Sequence, residues 1–460
     1  MKKISLILSV LLLVMTVASC AAEAPELKDF IGNVDYSYAD FGGRTVFIGV
    51  RDIVSTDSLV PLPEDTSARS DAQRALIKSV EEKLHCVISE TVIDEDTIPA
   101  SIIGQNCKSD LLYNSTQLQS DWIKSGLLYD LNTFDNLDLS NESKWGTARE
   151  QLHRTYQGKV FGVKPMGADS SYTSLEGVMM VNEALIKTFA QPTPKELLEQ
   201  GNWTFDYFTD YVVKVSDMNA ETQIYGMTYY DGQLHQLPLT AIFSNGSSLL
   251  NVSDSGEFSF DLSSDPKVNN ALNWAKEVYA TGVIAEDDFD DTPAGYFIEG
   301  RSSLWLGGAW VGTTNRPNYP LNEMKDGFSF INVPYGPDAV YGETYSSFIF
   351  VSRSLAVPIS SDAYEMGCFL NEFCAEFSED DLEAMRYETQ SEYFFNEEDY
   401  DFLLDMADNA VYTYLYVELS DVRESILEAL ETITMGNGSI SESIGSIQSL
   451  VDAELENIKQ

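Results

Sequence analysis

The residue types that usually perform catalysis are few and scattered in this sequence. Its three histidines are His85, His153 and His235, and it contains no H-E-x-x-H, G-x-S-x-G or P-loop motif. Metal-assisted hydrolysis and triad catalysis are therefore poorly supported. A glycoside hydrolase needs only two carboxylates on either side of a sugar, about 5–10 Å apart. The 73 Asp and Glu residues leave that alternative open.

Aromatic residues suggest a different chemistry, the non-covalent recognition of a sugar. The C–H face of a pyranose packs on an aromatic ring, while its hydroxyl groups need fixed polar partners. Trp310 is the best candidate platform, because it follows Gly-Gly-Ala (307–309) at the end of a predicted strand, where small residues let a ligand approach the backbone. The alternative interpretation of Trp310 is a core indole. We interpret Trp305, Trp203 and Trp274 as structural.

Alternating strands and helices must position such side chains. The apolar, β-branched run 44–50 is typical of a buried parallel strand, residues 70–84 have the apolar period of a helix, and 86–93 predicts a second strand. A strand over 110–113 and a helix over 118–125 follow. This order predicts an α/β fold, whose ligands bind beyond the carboxyl ends of the strands.

That rule directs attention to polar residues after the first and third strands. Arg51 and Asp52 follow the first predicted strand, and Asn114, Thr116 and Gln117 follow the third. Side chains of these types can donate to and accept from hydroxyl groups. A solvated loop residue is the alternative for any one of them, so the set is better supported than its members.

The charge balance excludes several other kinds of partner. The 460 residues include 28 Lys and Arg against 73 Asp and Glu, a net charge of −45. Such a field repels phosphate backbones and anionic membrane surfaces, so we expect no nucleic-acid partner. Because 44% of the residues are hydrophobic, the chain can build a large core, and its length predicts two or three domains.

The first residues have the features of an export signal. Lys2 and Lys3 precede a short apolar run, 4–17, and Val-Ala-Ser leads into Cys20. This pattern resembles the lipobox of bacterial lipoproteins. It predicts a signal peptide over 1–19 and a lipidated Cys20 that anchors the protein to the outer face of the cell membrane, with 20–43 as the tether. The alternative is an ordinary secretory signal and an unanchored product.

The remaining cysteines do not form a disulfide framework. Cys86, Cys107, Cys368 and Cys374 contain no C-x-x-C pair. Cys368 and Cys374 are interpreted as small core residues. Cys86 and Cys107 could bridge in an oxidising compartment, although two free buried thiols are the preferred interpretation.

The acidic run 286–291 could suit calcium, a hard cation that prefers oxygen ligands. It lacks the spacing and glycine of an EF-hand, so a solvated loop is favoured. We predict no metal and no cofactor.

A series of segments spanning most of the chain carries a family pattern. They are SDLLYNSTQLQSDWIKSGLLYDL (109–131), QGKVFGVKP (157–165), GVMMVNEALIKTF (177–189), NWTFDYFTDYVVKVSD (202–217), YFIEGRSSLWLGGAW (296–310) and FSFINVPYGPD (328–338). In this order, behind a lipobox, they resemble bacterial extracellular solute-binding proteins of family 1, the maltose-binding type that serves ABC importers.

The resemblance implies a two-lobed, periplasmic-binding-protein-like clamp of type II, with the ligand cleft between the lobes. Its template puts the crossings near 157–165 and 345–351, lobe 1 at 44–157 plus 345–400, and lobe 2 at 158–344 plus 401–460. Such proteins close on a solute about a hinge and deliver it to a membrane permease. They act as monomers and are not enzymes.

The resemblance also implies a set of ligand-binding residues. It puts Trp310 at the family's cleft tryptophan and the polar residues after strands one and three at positions that face the solute. A loop between Tyr229 and Gln236 and the stretch after the first crossing complete the set: Ser174, Glu176, Tyr229, Tyr230, Asp231 and Gln236.

The sequence therefore predicts a lipid-anchored sugar or oligosaccharide receptor of an ABC importer. The fold does not fix the ligand. A carbohydrate-acting hydrolase, a receptor for another solute and a surface adhesin of the same fold are the alternatives.

Overall fold

Two β-sheets, each built from strands that are distant in sequence, organise the chain. The computed structural model describes residues 39–53, 58–165, 171–253, 257–287, 294–313, 321, 324–350 and 353–458. The predicted signal peptide and Cys20 lie outside the described residues. Residues 40–460 belong to one compact unit.

The helices and strands up to residue 244 have the following bounds: β1 Thr45–Val50, α1 Ala68–Leu84, β2 Val87–Val92, α2 Ile98–Ile103, β3 Leu111–Ser115, α3 Thr116–Lys124, α4 Glu142–Trp145, α5 Ala148–Leu152, β4 Thr155–Tyr156, β5 Lys159–Val160, β6 Leu175–Glu176, β7 Val178–Val181, α6 Glu183–Thr188, α7 Pro194–Glu199, α8 Phe205–Lys214, β8 Tyr225–Tyr230 and α9 Gln236–Ser244.

The remaining elements are β9 Asn251–Val252, β10 Phe258–Ser259, α10 Pro266–Ala280, β11 Ile284–Asp287, α11 Gly295–Ile298, β12 Ser302–Gly307, β13 Ser329–Asn332, β14 Phe348–Ile349, β15 Arg353–Ala356, α12 Ala363–Phe373, α13 Glu379–Tyr393, α14 Glu397–Asp408, α15 Arg423–Thr434 and α16 Ile440–Ile458.

The first sheet has the order β15-β3-β1-β2. Strand β1 pairs in parallel with both β2 and β3, as its β-branched apolar sequence predicts. Strand β3 continues two residues beyond the predicted end, because Asn114 and Ser115 pair with Ser354 and Arg353 of the antiparallel β15. Asn114 therefore lies within a strand, which corrects the prediction that it follows one.

The second sheet has the order β11-β8-β12-β7-β13. Strands β8, β11 and β12 are parallel, whereas β7 runs antiparallel to both β12 and β13. The carboxyl ends of β8 and β12 consequently share one edge of the sheet with the amino end of β7. Strand β6 directly precedes β7, so residues at these three places can converge.

Each predicted crossing segment pairs with backbone that lies outside the other one. Val163 of the first segment and Leu355 of β15 exchange backbone hydrogen bonds of 3.0 and 2.8 Å. In the second segment β14 pairs with β6, and Phe350 N donates to Ser174 O at 3.0 Å. The positions of the crossings stay a prediction.

The last helix, α16, contacts the end of α3 and the turn between β4 and β5. Lys124 at the end of α3 pairs with Glu454 of α16 at 2.7 Å and with Asp421 at 3.2 Å. Gln157 Nε2 donates to Ile458 O at 2.7 Å. Because Lys124 and Glu454 are largely buried, this contact is shielded from solvent more than a surface ion pair.

The largest hydrophobic cluster covers one face of the second sheet and includes residues of α8, α9, α10, α15 and α16. Trp203 and Trp274 are buried in it, as predicted, and donate to backbone carbonyls of Asn332 and Phe205. A separate cluster packs on the other face and includes Trp305, which is buried as predicted.

Two short stretches lie close to the predicted lobe boundaries. Phe161 joins the cluster of the first sheet, because its segment is paired with β15 there. Phe394 and Tyr400 pack against the second sheet's other face. The lobe boundaries themselves stay a prediction.

Three of the four cysteines lie as the sequence indicates. Cys368 and Cys374 are fully buried in and beside α12. Cys86 and Cys107 are free thiols rather than a disulfide, but only Cys86 is buried; Cys107 is partly exposed, which corrects the expectation of two buried thiols. Among the helices that the structure describes, none has the length and apolar character needed to cross a membrane.

Candidate functional site

A buried carboxylate lies at the edge where β6, β8 and β12 meet. Glu176 is 3% exposed, and its two oxygens accept hydrogen bonds from different elements. Trp310 Nε1 donates to Oε1 at 3.2 Å, and Gln236 Nε2 donates to Oε2 at 2.6 Å. Three residues that the sequence predicts for the site are therefore in direct contact.

A tight turn after β12 brings Trp310 to this carboxylate. The strand ends at Gly307, and Trp310 lies in a 3₁₀ turn, Ala309–Val311, rather than at the strand end predicted for it. A Cβ at Gly308 would lie 2.3 Å from Trp310 Nε1 and 2.5 Å from Glu176 Oε1. Only glycine leaves room for this approach, which explains the small residues before the tryptophan.

Gln236 is the first residue of α9 and is also buried. Its Nε2 donates to Gln233 as well as to Glu176, and its Oε1 accepts from Gly177 N at 3.4 Å. The side-chain amide thus joins α9 to the β6–β7 turn. Each of its polar atoms has a partner, so the orientation of the amide is well defined.

Aromatic rings surround the Glu176–Trp310 pair. Tyr230, the last residue of β8, meets Trp310 edge to face, with ring centroids 5.8 Å apart and planes at 77°. Tyr416 is a buried phenol on which the Glu176 charge acts; burial, above all, and that charge raise its pKa. The Phe350 ring packs edge to face against Tyr416 at 5.1 Å. Tyr416, Phe350 and Gln233 were not anticipated from the sequence.

The environment makes Glu176 hard to ionise. Burial raises the pKa of Glu176 to about 7, although the hydrogen bonds from Gln236 and Trp310 oppose that rise. No charged neighbour contributes to the shift. The carboxyl group can therefore change its protonation state near neutral pH.

The predicted residues beyond the first sheet are spread out. Arg51 and Asp52 follow β1, are exposed, and form an ion pair at 3.5 Å. Asn114 is buried, and its Nδ2 donates to Glu95 at 3.4 Å. Thr116 and Gln117 open α3 instead of lying in a loop, because the helix directly follows β3; their side chains are outside the described part of the chain.

Apart from Tyr230 and Gln236, the other predicted residues of the second sheet do not contact Glu176 or Trp310 in the described hydrogen bonds and ring pairs. Tyr229 and Tyr230 belong to β8 and Gln236 to α9, so the loop predicted between Tyr229 and Gln236 is confined to 231–235. Tyr229 is buried in the large core, since successive strand residues point to opposite faces. Asp231 is exposed, and the Ser174 carbonyl accepts from Phe350. Ligand contact by any predicted residue stays a prediction.

The acidic run 286–291 is only partly described, because residues 288–291 lie outside the described chain. Asp287 ends β11 and is buried, which corrects the expectation of a solvated loop at this position. It is buried because it accepts from Thr228 Oγ1 at 3.1 Å and from Tyr296 N at 2.8 Å. In the described ranges, no three His, Cys, Asp or Glu side chains are grouped so that they could hold a metal ion.

A second buried carboxylate belongs to Glu418. The Tyr412 hydroxyl is within hydrogen-bonding distance of both Glu418 oxygens, at 2.9 and 3.1 Å, and the His153 ring packs edge to face on Tyr412 at 5.1 Å. Burial raises the pKa of Glu418 to about 7. Glu418 therefore titrates in the same range as Glu176 but has no contact with Trp310.

The fold is similar to that of solved solute-binding proteins. A cyclo/maltodextrin-binding protein matches with 14% identity over 90% of this chain and 98% of that one, with a TM-score of 0.62. The GacH receptor of Streptomyces glaucescens GLA.O matches with 13% identity over 90% and 99%, with a TM-score of 0.59. UgpB from Mycobacterium tuberculosis matches with 15% identity over 91% and 100%, with a TM-score of 0.59.

No protein-family model and no curated protein matches the sequence. At 13–15% identity, the structural likeness applies to the fold. The chain has the two-lobed α/β fold of periplasmic-binding-protein-like solute-binding proteins, as the sequence segments predict.

The raised pKa values make a prediction about stability. In the folded state Glu176 and Glu418 keep protons that the unfolded chain loses above about pH 4.5, so the free energy of unfolding should fall as the pH rises from about 4.5 to 7. Each pKa unit corresponds to about 1.4 kcal/mol. Thermal or urea unfolding across this range measures the slope. Glu418→Gln should reduce it, whereas Glu428→Gln, at an exposed position of α15, should not; equal slopes in both variants would contradict the assignment.

Proposed function

We propose that this chain is a lipid-anchored extracellular receptor that captures a sugar or oligosaccharide by hinge closure and delivers it to the permease of an ABC transporter. The observation that carries the proposal is the junction of Trp310, Tyr230, Gln236 and Glu176 at one edge of the second sheet. The structural neighbours are binding proteins rather than enzymes, which favours capture over turnover.

The chemistry of this group suits a saccharide. Trp310 is only partly buried, so its indole can offer a face to the C–H groups of a pyranose. Tyr230 packs edge to face against it and limits its rotation. The buried Glu176 carboxylate accepts from the indole N–H and from the Gln236 amide, so the indole is held in place before a ligand arrives, as in a preformed pocket.

Two structural neighbours were studied with saccharides. One is the cyclo/maltodextrin-binding protein in complex with maltotetraose, and the other is the GacH receptor in complex with acarbose. UgpB was solved with glycerophosphocholine, so the same fold also serves another kind of solute. The aromatic group around Trp310 favours a sugar for this chain.

Backbone pairing at each predicted crossing segment suits a clamp. Backbone pairs at Val163–Leu355 and Glu176–Phe348 hold the two chain segments together at two places. Rigid lobes joined by a few residues close around a ligand by rotation about the connection.

The anchor and the charge concern the surface rather than the site. Removal of Lys2 and Lys3 with the signal peptide would take the net charge from −45 to −47. A body of this charge, tethered at Cys20, would be repelled from anionic headgroups and remain accessible to solutes.

A panel of sugars tests receptor against hydrolase. Differential scanning fluorimetry should show one or more mono- or oligosaccharides that raise Tm, because a ligand that binds only the folded state stabilises it. Chromatography of the bound sugar should then recover it intact. Cleavage products would indicate a hydrolase, and no stabilisation by any sugar would exclude a saccharide receptor and leave another solute or an adhesive role.

Trp310→Ala should weaken binding of the sugar identified in that screen by roughly tenfold to a hundredfold, because a central tryptophan anchor is removed. Isothermal titration calorimetry measures the change. Tyr387→Ala is the matched control, since Tyr387 is an aromatic residue of α13 that is 74% exposed. An unchanged Kd in the Trp310 variant would rule out its indole as the platform.

Cys20→Ser should convert the membrane-bound protein into a released one, because Cys20 is the proposed site of lipid attachment. Fractionation of cells that express each form, with metabolic labelling by a fatty acid, measures anchoring. A Cys20→Ser variant that still carries label and sediments with membranes would contradict the proposed anchor.

A further inference from the structure

Both oxygens of Glu176 are already occupied by the protein. Trp310 Nε1 and Gln236 Nε2 donate to one oxygen each, and Gly308 lies so close to Oε1 that a Cβ there would clash with it. With 3% of the residue exposed, little of the carboxylate is left for a solute. Its two partners come from the turn after β12 and from the start of α9, which are 74 residues apart in sequence.

We propose that Glu176 is a positioning residue that orients the Trp310 indole and the Gln236 amide through its charge, so that protonation of Glu176 frees one of them and weakens solute binding. This inference rests on the proposed function of solute capture and adds a regulation of the same site.

The hydrogen-bonding chemistry explains why the charge is needed. An ionised carboxylate only accepts, and an indole N–H only donates. A proton on Oε1 would compete with the Trp310 N–H for that oxygen and remove its charge, so the hydrogen bond would be weakened. The indole has no second polar atom with which to adapt.

Protonation of the other oxygen has a cost as well. A proton on Oε2 would require the Gln236 amide to turn over and present its oxygen. That oxygen now accepts from Gly177 N, and the amide nitrogen also donates to Gln233. Turning the amide therefore breaks contacts on two sides, and a buried donor without a partner is unfavourable.

Within the described part of the chain, burial and the hydrogen bonds from Gln236 and Trp310 are the causes that set the pKa of Glu176. The segment after α14 contributes the Tyr416 phenol, whose raised pKa keeps it neutral. The Arg423 guanidinium lies 5.6 Å from the centre of the Tyr416 ring and pairs with Glu424. Strand β14 contributes Phe348 and Ile349, and the amides of Gln236 and Gln233 come from α9 and the loop before it. That loop also contains Asp231, which is exposed, and His235, which pairs with Glu431 at 3.0 Å. Burial raises the pKa of Glu176 to about 7, so its protonation falls in an accessible range of pH.

The indole N–H signals of ¹⁵N-tryptophan-labelled protein test the Glu176–Trp310 hydrogen bond without any solute. The Trp310 signal should titrate with a midpoint near pH 7, and Glu176→Gln should abolish the titration. Trp203 and Trp274 are internal controls, because their indoles donate to backbone carbonyls that do not titrate. A Trp310 signal that stays constant with pH, or that still titrates in Glu176→Gln, would overturn the proposal.

Affinity for the sugar identified by thermal shift gives the functional readout. The Kd should be about tenfold weaker at about pH 5.5 than at about pH 8, the loss expected for one hydrogen bond to a charged group. Glu176→Gln should bind with the weaker Kd at both pH values. Glu418→Gln, which alters the other buried carboxylate with a raised pKa, should retain the pH dependence.

The two proposals fail in different ways. If no solute binds at either pH while the Trp310 signal titrates, solute capture is wrong, but Glu176 still orients Trp310 in a pH-dependent way. If a sugar binds with the same Kd at both pH values in the native protein, capture stands and the positioning role is wrong.

Discussion

Everything in the candidate site depends on the pairing between β6 and β14. Strand β6 is two residues long, and its register against β14 is set by Glu176 opposite Phe348 and Leu175 opposite Ile349. A shift by one residue would turn Glu176 away from the edge of the second sheet, because side chains alternate along a strand. The same short ribbon connects the halves of the molecule. Its register therefore fixes where the carboxylate points.

Several helices and strands could be predicted because they depend on local patterns of apolar residues. The apolar period of α1 and the β-branched run of β1 are properties of adjacent residues, and both elements form within two residues of the predicted ends. The end of β3 was predicted too early, since Asn114 is polar and only its pairing with β15, more than 200 residues away, extends the strand. Long-range pairing overrides local propensity in such cases.

Some members of the candidate site were predictable from the sequence, but its organisation was not. Small residues before Trp310 and the position of Gln236 after a strand are visible in the sequence. That both side chains meet on Glu176 depends on the order of strands in the second sheet. Tyr416 comes from a segment with no pattern that points to a ligand, and Tyr229 could not be separated from Tyr230 until the face of β8 was known.

The strand order of the first sheet also bears on how the protein is made. Strand β3 has an unpaired edge until β15 arrives, and the whole second sheet is encoded between them. An open sheet edge invites wrong pairing with other chains. The first half therefore cannot finish folding until more than three quarters of the sequence has emerged, and contacts this distant form slowly. Under the proposed export of the chain, such a delay would keep it competent for transport and would couple completion of both sheets into a single late event.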